Sequence, residues 1–167
     1  MSMRNLTTFK TGNPNSMAEW WKVKNPLAVT FNFIIILICR YAPSLRLKRF
    51  LYRLIGMNVG RNAGVGLEVT FDIFFPELIE IGADSVIGHN VTVLAHEFLV
   101  GEWRKGRTVI GNRVMLGASS VVLAGVKIGD GATVSAMSLV NDNVPAGAFV
   151  GGIPAKRLKH GDGKSRV

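Results

Sequence analysis

Three histidines carry the acid–base possibilities of this chain: His89, His96 and His160. An imidazole has an ordinary pKa of about 6.5, so it can take up a proton near neutrality and give it back. His89 falls two places after Ile87 inside a regular stretch and reads as an exposed structural residue, while His160 belongs to a polar tail. His96 lies three places after Val93, where the regular pattern of the chain stops and an irregular segment begins. Loops held on a rigid scaffold often carry function, and this makes His96 the candidate for chemistry. Glu97 beside it either orients the imidazole, contacts an acceptor or is a solvated loop carboxylate. Trp103, in the same segment, either stacks on a ligand or anchors its loop. His89 and His96 are seven apart, the third histidine is in the tail, and the single cysteine is Cys39. That spacing makes no closed zinc site, so no metal is expected.

The scaffold that must position His96 is written as a six-residue repeat. Ile110, Leu116, Val122, Ile128, Val134 and Val140 follow one another at intervals of six, and Ile81, Ile87 and Val93 repeat the interval upstream. Gly follows many of them, as at Gly82, Gly88, Gly111, Gly117 and Gly129. Thr108, Val114, Ser120, Val126, Ala132 and Ser138, two places before the aliphatic residues, are all small or β-branched. An α-helix places residues i and i+6 on different faces, and a flat strand of period two has no reason to mark every sixth position. A triangular coil does. Three short six-residue strands make one turn, each side sends one aliphatic residue into a narrow prism, and Gly serves a tight corner or close packing between coils.

The repeat breaks twice. The step from Val93 to Ile110 is not a multiple of six, which predicts an excursion over 99–108; Phe71 to Ile81 is also out of step, which makes IFFPELIE, with Pro76, a second irregular segment. Val144–Pro145 and Gly151–Pro154 read as departures from the ladder at its far end.

The units IGADSV, IGHNVT, IGNRVM, LGASSV and IGDGAT resemble the hexapeptide-repeat acyltransferases, and the maltose and galactoside O-acetyltransferases in particular. The resemblance spans roughly residues 55–160. It implies an all-β fold, a left-handed parallel β-helix with a helical N-terminal segment; handedness is not readable from the period itself. It also implies an acetyl-CoA-dependent O-acetyltransferase acting on a hydroxyl of a sugar or sugar conjugate. LAHEF is similar to the family's Gly-His-Pro segment, which makes His96 the implied general base, although Ala95 and Glu97 replace the glycine and the proline. The acyl donor would meet Ala118, Ala136, Asn141 and Asp142, and its phosphates Lys156 and Lys159. Asp72, Glu97 and Trp103 are the acceptor candidates. The family is trimeric, so a homotrimer is implied. A non-catalytic β-helix scaffold and an acetyltransferase for an amine or antibiotic acceptor are the alternatives.

The ends differ from the middle. Residues 1–57 read as an N-terminal helical cap, 58–153 as the β-helix, and 154–167 as a basic tail. One helix runs from near Asn25–Pro26 to near Pro43; its apolar run, Leu27 to Cys39, is shorter than the roughly 20 residues of a membrane span. Ser44 to Ile55 reads as a basic amphipathic helix with Leu47, Leu51, Leu54 and Ile55 as one stripe and Arg46, Lys48, Arg49 and Arg53 outside it. Such helices cover an open sheet edge, or bring residues 20–55 to an anionic membrane surface. The chain is strongly basic, 20 Lys and Arg against 11 Asp and Glu. That suits a phosphorylated ligand; the positive charge gathers at the ends without a nucleic-acid motif, so no nucleic-acid partner is expected. Cys39 reads as a small buried apolar residue. A single cysteine and no leader-like apolar segment point to a cytoplasmic protein, with the inner membrane face as the further possibility.

Overall fold

The computed structural model describes residues 4–158. From Asn58 to Gly151 the chain winds into stacked coils whose three sides form three parallel sheets. The first side stacks Asn58–Val59, Ile79–Ile81, Thr108–Ile110 and Lys127–Ile128. The second stacks Gly64–Val65, Val86–Ile87, Met115–Leu116, Thr133–Val134 and Phe149–Gly151. The third stacks Thr70–Phe71, Thr92–Val93, Val121–Val122 and Leu139–Val140. The aliphatic residue of each strand is buried in the prism between the three sides.

The register accounts for both breaks in the repeat. Leu116 pairs with Val134 and Val122 with Val140, so a plain turn is three six-residue units long. Val65 pairs with Ile87 and Phe71 with Val93, which makes the first coil a plain turn plus a four-residue insertion. Ile87 pairs with Leu116 and Val93 with Val122, so the second coil carries a longer insertion, of eleven. Both insertions leave the prism at one corner, between the third side and the next first side.

Glycine after the aliphatic residue serves close coil packing. A Cβ on Gly82 would lie 2.4 Å from the backbone of Gly111, and one on Gly117 2.3 Å from the backbone nitrogen of Ala136. The left-handed corner residues come two places later: Asn62, Glu68, Asp84, Asn90, Arg113, Ser119 and Met137 all have positive φ.

Three regions differ from the sequence expectation. The excursion assigned to 99–108 begins at His96: His96–Phe98 and Val100–Lys105 form an antiparallel hairpin, and Thr108 has already rejoined the stack opposite Ile79. The N-terminal segment is not all helical, because Thr7–Asn15 is a strand paired with the hairpin. Gly12 and Pro14 hide it in the sequence; an edge strand tolerates both. The ladder also persists at its far end, where Val144 bridges to Ile128 and Val150 pairs with Val134. Lys156–Arg157, placed in the tail, folds back on Phe149–Gly151 as an antiparallel strand.

The helices are α1 (Trp20–Val23), α2 (Pro26–Tyr41) and α3 (Leu45–Leu54). Asn25 caps α2 by accepting from the Leu27 N–H, with Pro26 in the first turn, and Ser44 caps α3. In the stack, the carbonyls of Ile81 and Ile87 accept N–H groups of the preceding coil, Gly60 and Gly66, whereas their first-coil counterparts Val59 and Val65 have no preceding coil to meet them. α3 supplies donors. Lys48 Nζ donates to the carbonyls of Val65 (3.1 Å) and Gly66 (2.7 Å), and Arg53 Nε to that of Val59 (2.9 Å). Tyr52 plugs the prism, edge-on to Phe71 at 4.9 Å. The amphipathic reading of α3 is thereby corrected: Lys48 and Tyr52 face inward and Leu47 and Leu54 outward, because bare carbonyls need a donor more than an apolar cover. Burial pushes the Lys48 ammonium below its ordinary pKa, and pushes the neighbouring Cys39 thiol up to about 11.

Candidate active site

Asp72 directly follows the last strand of the first coil, and His96 comes shortly after the last strand of the second. The stacking of Phe71 on Val93 puts these two exits at the same corner, one above the other. The Asp72 side chain is fully buried, and both oxygens are used. Oδ1 accepts the N–H groups of Phe74 (2.9 Å) and Phe75 (3.0 Å), which folds the four-residue insertion. Oδ2 accepts the N–H groups of Ala95 (2.8 Å) and His96 (2.9 Å) and lies 2.5 Å from His96 Nδ1.

Burial pushes the Asp72 carboxyl up. The hydrogen bond and charge of His96 and the N–H groups of Phe75 and Ala95 outweigh it and hold the carboxyl below its ordinary value. An ionised carboxylate accepts and does not donate, so Nδ1 carries the proton and Nε2 of a neutral imidazole presents its lone pair. Phe74, Phe98 and Phe75 surround the ring, with centroids 4.6, 4.9 and 5.8 Å away. α2 fixes the same segment through Asn32 Nδ2, which donates to the Ile73 carbonyl (2.9 Å). Trp20 meets Phe74 edge-on, and Lys24 pairs with Glu77.

His96 is 12% exposed and lines two cavities. One, of about 560 Å³, lies between α2 and the first coil and is walled by Val29, Phe33, Ile36 and Leu37 of the helix and by Ile73 and Phe74. Arg40 also lines it, and its buried Nε has no hydrogen-bond partner among the described residues. The other, of about 620 Å³, is lined by Arg4, Glu97, Arg104 and Leu123 and opens toward the later coils.

The remaining candidates fall in different places. Asp72 is enclosed against His96 instead of open to an acceptor, since its donors all come from the chain itself. Glu97 forms an ion pair with Arg4, at the wall of the second cavity. Trp103 stacks against Phe9 (4.3 Å) and Phe75 (5.7 Å) and fastens the N-terminal strand to the hairpin. Asn141 and Asp142 are half-buried at the His96 corner, two coils further on. Ala118 and Ala136 are exposed and stacked one coil apart, but at the corner between the second and third sides. Lys156 is exposed on the last strand, while Lys159 and His160 lie outside the described residues. His89 is largely exposed, 3.7 Å from Glu68. Among the described residues no three His, Cys, Asp or Glu side chains gather as a metal site.

The family model of the bacterial transferase hexapeptide, six repeats, matches residues 107–142. The chain is 46% identical to YvoF of Bacillus subtilis, a protein named as an acetyltransferase, over 155 residues covering 92% of this chain and 90% of that one. The chain belongs to the hexapeptide-repeat transferases. Its fold is shared by a Vibrio cholerae hexapeptide-repeat acetyltransferase, VCA0836, solved with acetyl-coenzyme A (TM-score 0.67, 21% identity, 80% of this chain and 86% of that one). A galactoside acetyltransferase in complex with coenzyme A shares it too (TM-score 0.64, 23% identity, 80% of each chain). Within such a transferase, sequence reasoning singles out His96 but misses the part Asp72 plays toward it, as well as Arg4, Arg40 and the three phenylalanines. One signal was available: a carboxylate and a histidine each follow the last regular strand before an insertion, one coil apart.

Proposed function

We propose that the chain is an acetyltransferase that moves the acetyl group of acetyl-CoA to a hydroxyl, with His96 as general base. The observation that carries this reading is the Asp72–His96 pair, which leaves Nε2 free to accept a proton in a site lined by aromatic rings. Nε2 takes the proton of the acceptor hydroxyl as its oxygen attacks the thioester carbonyl. The C–S bond of the tetrahedral adduct then breaks, and the imidazolium returns the proton to the departing sulfur. The products are an acetyl ester and free coenzyme A; no covalent enzyme intermediate is involved. Asp72 keeps the tautomer and steadies the imidazolium.

The donor would run along the later coils, past Asn141 and Asp142, with Lys156 and Lys159 at its phosphates. Ala118 and Ala136 belong to another corner, and they reach the same donor when a second copy sets that corner against this one. This supports a homotrimer of left-handed coils. The fold shared with a galactoside acetyltransferase favours a sugar or sugar-conjugate acceptor. A peripheral membrane contact is part of the proposal as well. Leu27, Phe31, Ile34, Ile38 and Tyr41 form an exposed stripe along α2, beside exposed Leu47, Phe50 and Leu54 of α3, with Arg46 exposed nearby. No single helix is long and apolar enough to cross a membrane.

The test is coenzyme A release from acetyl-CoA with a panel of sugar acceptors. His96→Asn should lower kcat by about 10²–10⁴ while acetyl-CoA binding and Tm stay as in the wild type. Equal turnover by the variant and the wild type would remove His96 from the reaction.

A further inference from the structure

The cavity between α2 and the first coil is built for hydrocarbon. Val29, Phe33, Ile36 and Leu37 recur at helical spacing and give it one face of α2; Phe71, Ile73, Phe74, Leu94 and Phe98 form much of the facing wall. Its volume is about 560 Å³, and His96 is on its lining. A sugar ring alone would leave most of its hydroxyls unpaired on such a wall, at a cost for each buried polar group.

The second cavity at His96 differs in carrying ionic side chains, Arg4, Glu97 and Arg104, beside apolar Met17, Leu94, Phe98 and Leu99, and it reaches Leu123 of the third coil. It lies toward Asn141 and Asp142, where the donor is placed. The apolar cavity meets it at Met17, Leu94, His96 and Phe98 and extends away from it, toward the first coil and α2. Donor and acceptor must meet at the imidazole from different directions, which leaves the apolar cavity to the acceptor.

We infer that the acceptor is an amphiphile: an alcohol whose hydroxyl reaches His96 Nε2 and whose alkyl or isoprenoid chain occupies the cavity along α2. Arg40, in the last turn of α2, adds a buried N–H for an oxygen carried further along the same ligand. The inference rests on the reading of His96 as the base and narrows its acceptor class. The chemistry balances as for any alcohol: the O–H proton passes through the imidazole to sulfur, and the oxygen takes the acetyl group.

The experiment uses the full chain and n-alkyl β-glucosides from methyl to octyl, each below its micelle concentration. Binding is measured by titration calorimetry and transfer by coenzyme A release. Binding should tighten about fourfold for each buried methylene, and kcat/KM should follow. Leu37→Trp, which narrows the cavity, should weaken octyl glucoside at least tenfold and leave acetyl-CoA binding unchanged. Leu37→Ala should move the optimum to longer chains, which keeps the proposal testable if the tryptophan variant folds poorly.

Absent binding of octyl glucoside, affinity that ignores chain length, or a Leu37→Trp variant that binds octyl glucoside as the wild type does would overturn the inference. So would chain-length selectivity that follows octanoyl-CoA over acetyl-CoA instead of the acceptor. The two readings fail separately. An active His96→Asn enzyme with intact chain-length dependence removes the base and keeps the cavity. Flat chain-length dependence in an enzyme that His96→Asn inactivates removes the amphiphile and keeps the base.

Discussion

One corner of the prism is built in two ways. In the third coil the chain passes from Val122 to Val126 through Leu123, Ala124 and Gly125, whose φ of +77° makes the turn. In the second coil the same corner carries the insertion of eleven, and in the first coil that of four. The plain corner continues the stack with backbone hydrogen bonds and presents no titratable group. The two expanded corners hold Asp72, His96, Glu97 and Trp103. Stacking gives the scaffold, and the proposed catalytic pair sits where residues are added to one corner of adjacent coils.

The largest expected effect separates these two kinds of corner by function. Asp72→Asn should lower turnover by about 10²-fold or more, since an amide at that place no longer fixes the Nδ1–H tautomer. It should also cost about 1–3 kcal/mol in stability for the donors left poorly matched. The pH dependence has a definite sign. The Asp72 carboxyl titrates lower folded than unfolded, so the folded state binds fewer protons. Its stabilisation is whole above the unfolded value of about 3.9 and is lost as pH falls through the folded one. The stability gap between wild type and Asp72→Asn, followed by urea melts, should narrow in that acid range.

The regular coils should behave in the opposite way. Ile128→Ala, at a fully buried ladder position, should destabilise by about 2–5 kcal/mol and leave the kcat of the folded fraction unchanged. A large fall in kcat with little loss of Tm would break the division between scaffold and corner. Lys48→Met tests the capped end and should cost about 1–3 kcal/mol through the unpaired Val65 and Gly66 carbonyls, with kinetics unaltered. The smallest effect belongs to Met137, whose φ is +55°. Met137→Gly removes a left-handed penalty of about 1–2 kcal/mol and adds about 0.5–1 kcal/mol of unfolded-state entropy. A Tm shift of only a few degrees should result.

The six-residue period made the stacked strands, their inward residues and the existence of both breaks legible in the sequence; the Asn25–Pro26 start, the apolar run and the amphipathic pattern did the same for helices α2 and α3. The candidate site was legible as far as His96. Its partner was not, because Asp72 lies more than a full coil earlier in the chain and reads alone as one more loop carboxylate. The strand Thr7–Asn15 was illegible for a different reason: Gly12, Asn13, Pro14 and Asn15 interrupt its strand-favouring Thr and Phe residues, and Phe9 has a place only once Trp103 is there to stack on.

By itself the sequence determined the coil, because an aliphatic residue at every sixth position satisfies a local rule that each turn repeats. Only the tertiary structure decided that two insertions of unequal length leave the same corner. Register is a property of the stacked coils and not of either segment. That register buries Asp72 under His96, turns Lys48 inward to meet bare carbonyls, and gives the imidazole two cavities, one walled by α2 and one carrying the Arg4–Glu97 pair.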